Sequence, residues 1–507
     1  MSLNFSFSQT PLTDSDIHNA VSLWINNPSA PEFTNTNNTP YYSAISNWDT
    51  SQVTDMSYLF DSEYYFNDDI TTWNTSSVTD MSYMFQYAIS FNQNIGNWST
   101  QSVITMEGTF KGAYNFNQDI GNWNTKSVQN MARMFQGSYT YGHAFNQDIG
   151  NWYTGNVTDM HWMFQQSRSF NKDIGNWQTE NVTDMSSMFE HAWVFNQDLN
   201  SWNVSDVSDM SYMFHSAESF NQDLNNWNTT NVNLMTGMFW GAISFDSNIG
   251  AWDTSGVTSM MGMFYDAIVF NQNIGNWNID LLEDMSYMFA NAQVFNQDLS
   301  IWNPVEVTAM NGVFQWATNF NQDISSWNVF KVTDMHSMFS QASLFNQDLS
   351  IWDISDVIGM SSMFDDTALS TTNYDNILIS WSQLPVQQNV WLGANNTYFC
   401  LSDTERQSLI NNHNWQIDDA GIDPSCTASI EEENLNQISL YPNPVSQILN
   451  IEGNNSELSI IIYNVQGKQI MESEIFDSLD LSCLNPGIYL AEISDGINST
   501  TKRIIKR

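Results

Sequence analysis

Positive charge is scarce in this chain: 12 Lys and Arg stand against 55 Asp and Glu in 507 residues. Six of the twelve cations precede residue 400, and four crowd into the last six positions. A nucleic-acid partner is excluded on that ground, because neutralising phosphates needs clustered cations. Anionic membrane surfaces are disfavoured for the same reason. No run of about 18 apolar residues exists, so no membrane span is expected. The three cysteines, Cys400, Cys426 and Cys483, lack zinc-knuckle spacing. No phosphate-binding loop, nucleophile elbow or zincin motif is present, and the seven histidines are scattered. His161 and His336 share a repeat column without metal-ligand spacing. With so many carboxylates, pairs at glycosidase-like distances arise by chance, so a carbohydrate-active enzyme is the weakest reading and no catalytic residue is assigned.

What is abundant is regular. Thirteen tryptophans, from Trp48 to Trp352, follow one another at 25 residues, with a single step of 29 between Trp123 and Trp152. A fixed period of this size marks stacked repeats, none of which buries its apolar face alone. One unit, residues 73–97, reads WNTSSVTDMSYMFQYAISFNQNIGN. Met81, Met84, Phe85 and Ala88 are spaced as one face of a helix, with Thr79 as its cap and Asp80 in the first turn. Phe91 and Ile95 then share one face of an extended segment. The expected fold is therefore α/β: a solenoid of about 13 repeats, each a short strand plus a short helix. The four extra residues lie within 137–144 and read as a surface loop.

The remaining boundaries follow from composition. Residues 1–9 are compatible with the remnant of a signal peptide, and 10–44 with an N-terminal cap containing a short amphipathic helix. The array covers 45–369 and a C-terminal cap 370–426. Cys400 and Cys426 are read as a disulfide of that cap, the other reading being two buried thiols. An acidic linker, 427–436, leads to a small all-β sandwich at 437–507, marked by short alternating strands and Gly-containing turns.

Two columns of carboxylates invite a metal reading. Nine of twelve positions in the FNQD column are Asp: Asp69, Asp119, Asp148, Asp173, Asp198, Asp223, Asp298, Asp323 and Asp348. Stacked carboxylates repel unless hydrogen-bonded, screened or bridged by calcium. Asn94, Asn248 and Asn273 replace them elsewhere, which favours turn-forming hydrogen bonds over calcium. No other cofactor is expected. The second column (Asp55, Asp80, Asp159, Asp184, Asp209, Asp284, Asp334) is read as helix first-turn chemistry. A Thr ladder beginning at Thr50 and Thr75 suggests ice binding, but Val204, Ile279, Pro304, Val329 and Ile354 break it.

The repeat unit resembles those of BspA-like leucine-rich-repeat surface proteins, in the 25-residue branch also seen in mycoplasma lipoproteins. Phe, Met and Trp occupy core positions where that pattern has Leu. The resemblance implies a leucine-rich-repeat-like α/β solenoid on a bacterial cell surface, with an adhesive role. The C-terminal region resembles the type IX secretion sorting domain of Bacteroidota, through Tyr441, Pro442, Asn443 and Pro444, then Gly467 and Lys468, then Pro486, Gly487 and Tyr489, and a basic tail from Lys502. It implies handling by the type IX secretion machinery and a secreted or cell-surface location in a Gram-negative, Bacteroidota-type bacterium. The combined expectation is an exported, non-catalytic module that binds an unknown protein or glycan, with a calcium-stabilised surface-layer spacer as the alternative.

Overall fold

The computed structural model describes residues 11–29, 44–427, 438–452, 458–475, 477–494 and 499–507. The expected signal-peptide remnant at 1–9 and nearly all of the linker lie outside these residues. The chain divides into two compact units, 1–397 with 401–420, and 398–400 with 421–507.

In the first unit each repeat is one coil, and successive coils stack in parallel. A single bridging residue per coil runs the length of the array, from Asp55↔Asp80 to Asp334↔Gly359. The apolar columns face inward. Met81, Met84, Phe85, Ala88, Phe91 and Ile95 are all fully buried, and so are their counterparts in the regular coils. Equivalent rings then meet their own kind along the stack, with Phe60–Phe85 at 5.4 Å, Phe91–Phe116 at 5.9 Å and Trp177–Trp202 at 6.3 Å. Such near-parallel pairs add about 0.5–1.5 kcal/mol each beyond their burial. From Trp73 onward each indole N–H of the Trp column finds its acceptor in the coil below: Trp98 Nε1 donates to the Ile70 carbonyl, Trp227 to Leu199 and Trp352 to Ile324.

The expected helix in every repeat is not formed, and an α/β array is therefore not the fold. The backbone hydrogen bonds show why. The N–H groups of Met81, Tyr83, Phe85 and Tyr87 donate sideways, to the carbonyls of Thr105, Glu107, Thr109 and Lys111 in the next coil. Those of Met84, Gln86 and Ala88 close tight turns onto Met81, Tyr83 and Phe85. Tyr83 and Tyr87 adopt φ of 55° and 53°, which an α-helix does not tolerate. These three overlapping four-residue turns bury the i, i+3, i+4, i+7 set as well as a helix does. They also leave half the N–H groups free to bond between coils. The extended segment expected at Phe91–Ile95 forms no strand; the one bridging residue of each coil lies instead in the Asp80 column, just before Met81.

Both ends of the array are covered. Helix α1 (Asp14–Asn26) begins at Thr13, and Asp14 Oδ1 accepts the N–H groups of Thr54 and Asp55 in the first coil. Trp24 meets Trp48 edge-on at 6.1 Å. At the other end α2 (Thr371–Trp381) places Trp381 6.3 Å from Phe364. Strand β1 (Trp391–Ala394), helix α3 (Asp403–His413) and strand β2 (Gln416–Asp419) follow, with β1 and β2 parallel. Buried Asp375 accepts the N–H groups of Leu401 and Ser402, and Arg406 grips Asp419 with two nitrogens at 2.8 and 3.0 Å.

The second unit holds two antiparallel sheets. One orders β3 (Ser439–Tyr441), β4 (Ile448–Glu452) and β7 (Ser478–Asp480) as β3-β4-β7. The other orders β5 (Leu458–Asn464), β6 (Gln469–Ile475), β8 (Gly487–Ser494) and β9 (Ser499–Lys506) as β6-β5-β8-β9. Leu449, Ile460, Ile462, Ala491, Ile493 and Ile504 form their shared core.

Candidate functional site

The repeated polar columns hold the coils in shape. In the FNQD column each side-chain Oδ1 accepts the backbone N–H two residues on: Thr71 to Asp69, Gly121 to Asp119, Gly150 to Asp148, Gly175 to Asp173, Asn200 to Asp198 and Asn225 to Asp223. Ser300, Ser325 and Ser350 donate likewise to Asp298, Asp323 and Asp348. The Asn positions do the same job, as Gly250 to Asn248 and Gly275 to Asn273 demonstrate. These are Asx turns, which need an acceptor and no charge. The second column also makes Asx turns rather than starting helices: Ser82 N–H donates to Asp80, and Ser186 to Asp184. The Thr column is interior. Thr75 and Thr179 are 1% exposed and donate to carbonyls of the next coil, which explains why Val and Ile substitute for them and removes an ice-facing surface.

One ladder went unread in the sequence. The Asn of each FNQ triplet directs its Oδ1 at the N–H of its equivalent one coil on, from Asn67←Asn92 through Asn196←Asn221 to Asn321←Asn346. Its signal was the near-invariance of that Asn beside a variable Asp.

Cys400 and Cys426 are joined, with Cα atoms 5.6 Å apart, and Cys483 is a free, exposed thiol. Asn443 clamps the terminal strand: its Nδ2 donates to the Arg503 carbonyl and its Oδ1 accepts from Ile505. It lies in the Tyr441–Pro444 turn, whose two X-Pro bonds are cis. Gly467 adopts φ of 79° in the β5–β6 turn next to Lys468. The Tyr489 hydroxyl donates to the Asn485 carbonyl, across Pro486 and Gly487.

Departures from regularity concentrate at the 29-residue coil. Five of the six cations before residue 400 fall between 111 and 172, and four of the seven histidines between 143 and 215. The inserted loop bulges outward, leaving Tyr139 and Tyr141 68% and 72% exposed. A cavity of about 510 Å³ opens beside it, lined by Ile89, Tyr114, Asn115, Tyr141, His143, Ala144, Arg168 and Ser169. Arg168 ties the loop down through the Tyr139 carbonyl at 2.6 Å and lies over the Trp193 ring at 4.0 Å. His143 is fully buried beneath. Its Nδ1 accepts from the Phe145 N–H, so its Nε2 carries the proton donated to Phe110. Burial lowers its pKa to about 4 and keeps the ring neutral.

Two coils beyond the insertion stands Glu190. Burial raises its pKa, but contacts from His215, Gln165 and Ser187 outweigh that and bring it to about 2. Tyr139 and Gln165 donate to its two oxygens at 3.2 and 2.7 Å, and His215 Nδ1 and His191 Nε2 approach Oε1 at 3.6 and 3.9 Å. Among the described residues two groups have potential ligand atoms within 4.8 Å: Glu190 with His191 and His215, and Asp159 with His161 and Asp184. Neither includes a member of the FNQD column.

Comparison with known families matches four overlapping stretches (31–143, 138–242, 220–311 and 297–390) to the family described as "Mycoplasma protein of unknown function, DUF285". The chain belongs to this family. Its 25-residue repeats are of the BspA-like, mycoplasma type. Residues 439–507 match the family described as "Secretion system C-terminal sorting domain". That domain marks proteins secreted or attached to the cell surface through the type IX route of Bacteroidota, and the secretion machinery is thereby a partner of this DUF285 member. No curated protein matches the chain significantly. Among the described residues no helix is long and apolar enough to cross a membrane.

Proposed function

We propose that this exported DUF285 protein is a non-catalytic binding module, and that its ligand surface is the face bearing the inserted loop. The observation that carries this reading is the cavity of about 510 Å³ lined by Tyr114 and Tyr141, whose rings lie 5.3 Å apart, and by Arg168. Rings and a planar cation in one lining suit stacking against a sugar or an aromatic side chain. The surrounding face supports it. Tyr83 and Tyr212 lie against Gly108 and Gly237 one coil on, where an added Cβ would stand 2.4–2.5 Å from the ring, so each ring is held flat by a slot that only glycine opens. Repeated weak contacts along such a face add by avidity.

The test is binding of the purified full chain to glycan and matrix-protein arrays, alongside Tyr141→Ala and Arg168→Ala. Ligand capture lost in both variants supports the reading. Capture unchanged by either moves the ligand surface elsewhere, and no capture at all favours a surface-layer spacer. Sugar release abolished by a single carboxylate substitution would reinstate an enzyme.

A further inference from the structure

We propose that Glu190, His191 and His215 form a binding site for a divalent transition-metal ion of the zinc class, with one carboxylate oxygen and two imidazole nitrogens as ligands. The site arises from stacking. His215 stands 25 residues after Glu190, in the same column one coil on, and the Glu190-His191 pair supplies the other two ligands. The His191 N–H donates to the His215 carbonyl at 2.6 Å, which fixes the two histidines against each other, with rings 4.8 Å apart.

Geometry and chemistry agree. In a tetrahedral zinc site ligand atoms lie about 3.3 Å apart, given metal–nitrogen distances of about 2.0–2.1 Å. The contacts to Glu190 Oε1 are 3.6 and 3.9 Å, so small side-chain rotations suffice. Two nitrogens and one oxygen select zinc, copper or nickel over calcium, which prefers six to eight oxygens. A second observation points the same way: His215 Nδ1 is buried and makes no hydrogen bond, with Glu190 Oε1 3.6 Å away, a costly state for a ring nitrogen. The rival group is already satisfied within itself, since His161 Nδ1 bonds Asp159 Oδ1 at 2.6 Å.

Outer contacts orient the ligands as metal sites require. Gln136 donates to Gln165, and Gln165 donates to Glu190 Oε2 at 2.7 Å. Tyr139, from the inserted loop, donates to Oε1 and meets the His191 ring edge-on at 5.4 Å. The loop that breaks the 25-residue register thus covers this site. Both histidines keep about a fifth of their side chains exposed, which leaves a path for the ion.

The experiment is isothermal titration of the full chain with zinc ion alone, in a Cys483→Ser background that removes the free thiol. Cobalt(II) spectra report the ligand type. One equivalent binding at micromolar or tighter affinity is expected, weakened at least tenfold by Glu190→Gln, His191→Ala and His215→Ala, and unaffected by His161→Ala. Near-ultraviolet circular dichroism without metal checks each fold, and Glu190→Gln, which keeps the side chain's shape, stands in where a truncation unfolds. Absence of stoichiometric binding overturns the proposal. So does binding that survives Glu190→Gln and His215→Ala, or binding that disappears with His161→Ala.

Discussion

The regular coils and the coil carrying the insertion share the same Trp, Met and Phe columns, yet they spend their polar residues differently. In the regular coils Asx turns and the Asn ladder use the side chains to hold backbone. Around the insertion the core is unbroken: Phe135 and Phe145 stack at 4.0 Å, as do the within-coil pairs Phe85–Phe91 at 3.9 Å and Phe164–Phe170 at 4.1 Å. The outward face there instead collects cations, histidines, a buried glutamate and the cavity. A periodic core can therefore carry a non-periodic face, because backbone bonding between coils does not depend on which side chain points out.

The comparison breaks most severely in the core. Phe214→Ala in a regular coil removes a ring stacked on Phe189, Phe220 and Phe239, and is expected to cost about 3–5 kcal/mol. Tyr141→Ala in the loop should cost under about 0.5 kcal/mol. Denaturant titration followed by Trp fluorescence measures both, and similar losses would mean the loop is part of the core.

Asn196→Ala comes next. It removes the acceptor for the Asn221 N–H and for Gln222, both at 2.9 Å, with an expected loss of about 1–2 kcal/mol. Wild-type stability in the same titration would show the ladder to be ornamental.

Acid should act on the insertion face before the regular coils. His143 has a folded pKa of about 4, below the ordinary value of 6.5, so the unfolded chain takes up the proton first. Stability from its neutral ring is complete above about pH 6.5 and declines as pH falls toward 4. Glu190, depressed from 4.5 to about 2, contributes stability above pH 4.5 that is lost as pH falls to 2. Unfolding midpoints across pH 2–7 should lose the upper slope in His143→Gln and the lower in Glu190→Gln. Unchanged slopes would assign the acid response elsewhere.

The smallest effect is expected in the FNQD column. Asp198→Asn keeps the acceptor for Asn200, so the midpoint should move by less than about 0.5 kcal/mol, with calcium or with chelator. A calcium-dependent rise lost in this variant would make the column a metal site.

Much of this was readable beforehand and some was not, for reasons that particular residues make plain. Burial of Met81, Met84, Phe85 and Ala88 follows from their spacing, but that spacing does not separate a helix from a run of overlapping turns. What separates them is the carbonyl that receives the Tyr83 N–H, and it belongs to Glu107 in the next coil. The metal-capable group does not show in the sequence, because its ligands do not stand at the few-residue intervals of fingers and helices. In stacked coils a neighbour in space is 25 residues away, and Glu190 and His215 are separated by that interval.

The sequence by itself determined which residues stack and how the protein leaves the cell. A fixed repeat brings each side chain onto its own copy, and the sorting motif is a contiguous signal. Only the tertiary structure decided the path of the backbone and the place of the site. Both depend on hydrogen bonds and approaches between coils, which exist only once neighbouring repeats have been laid against one another.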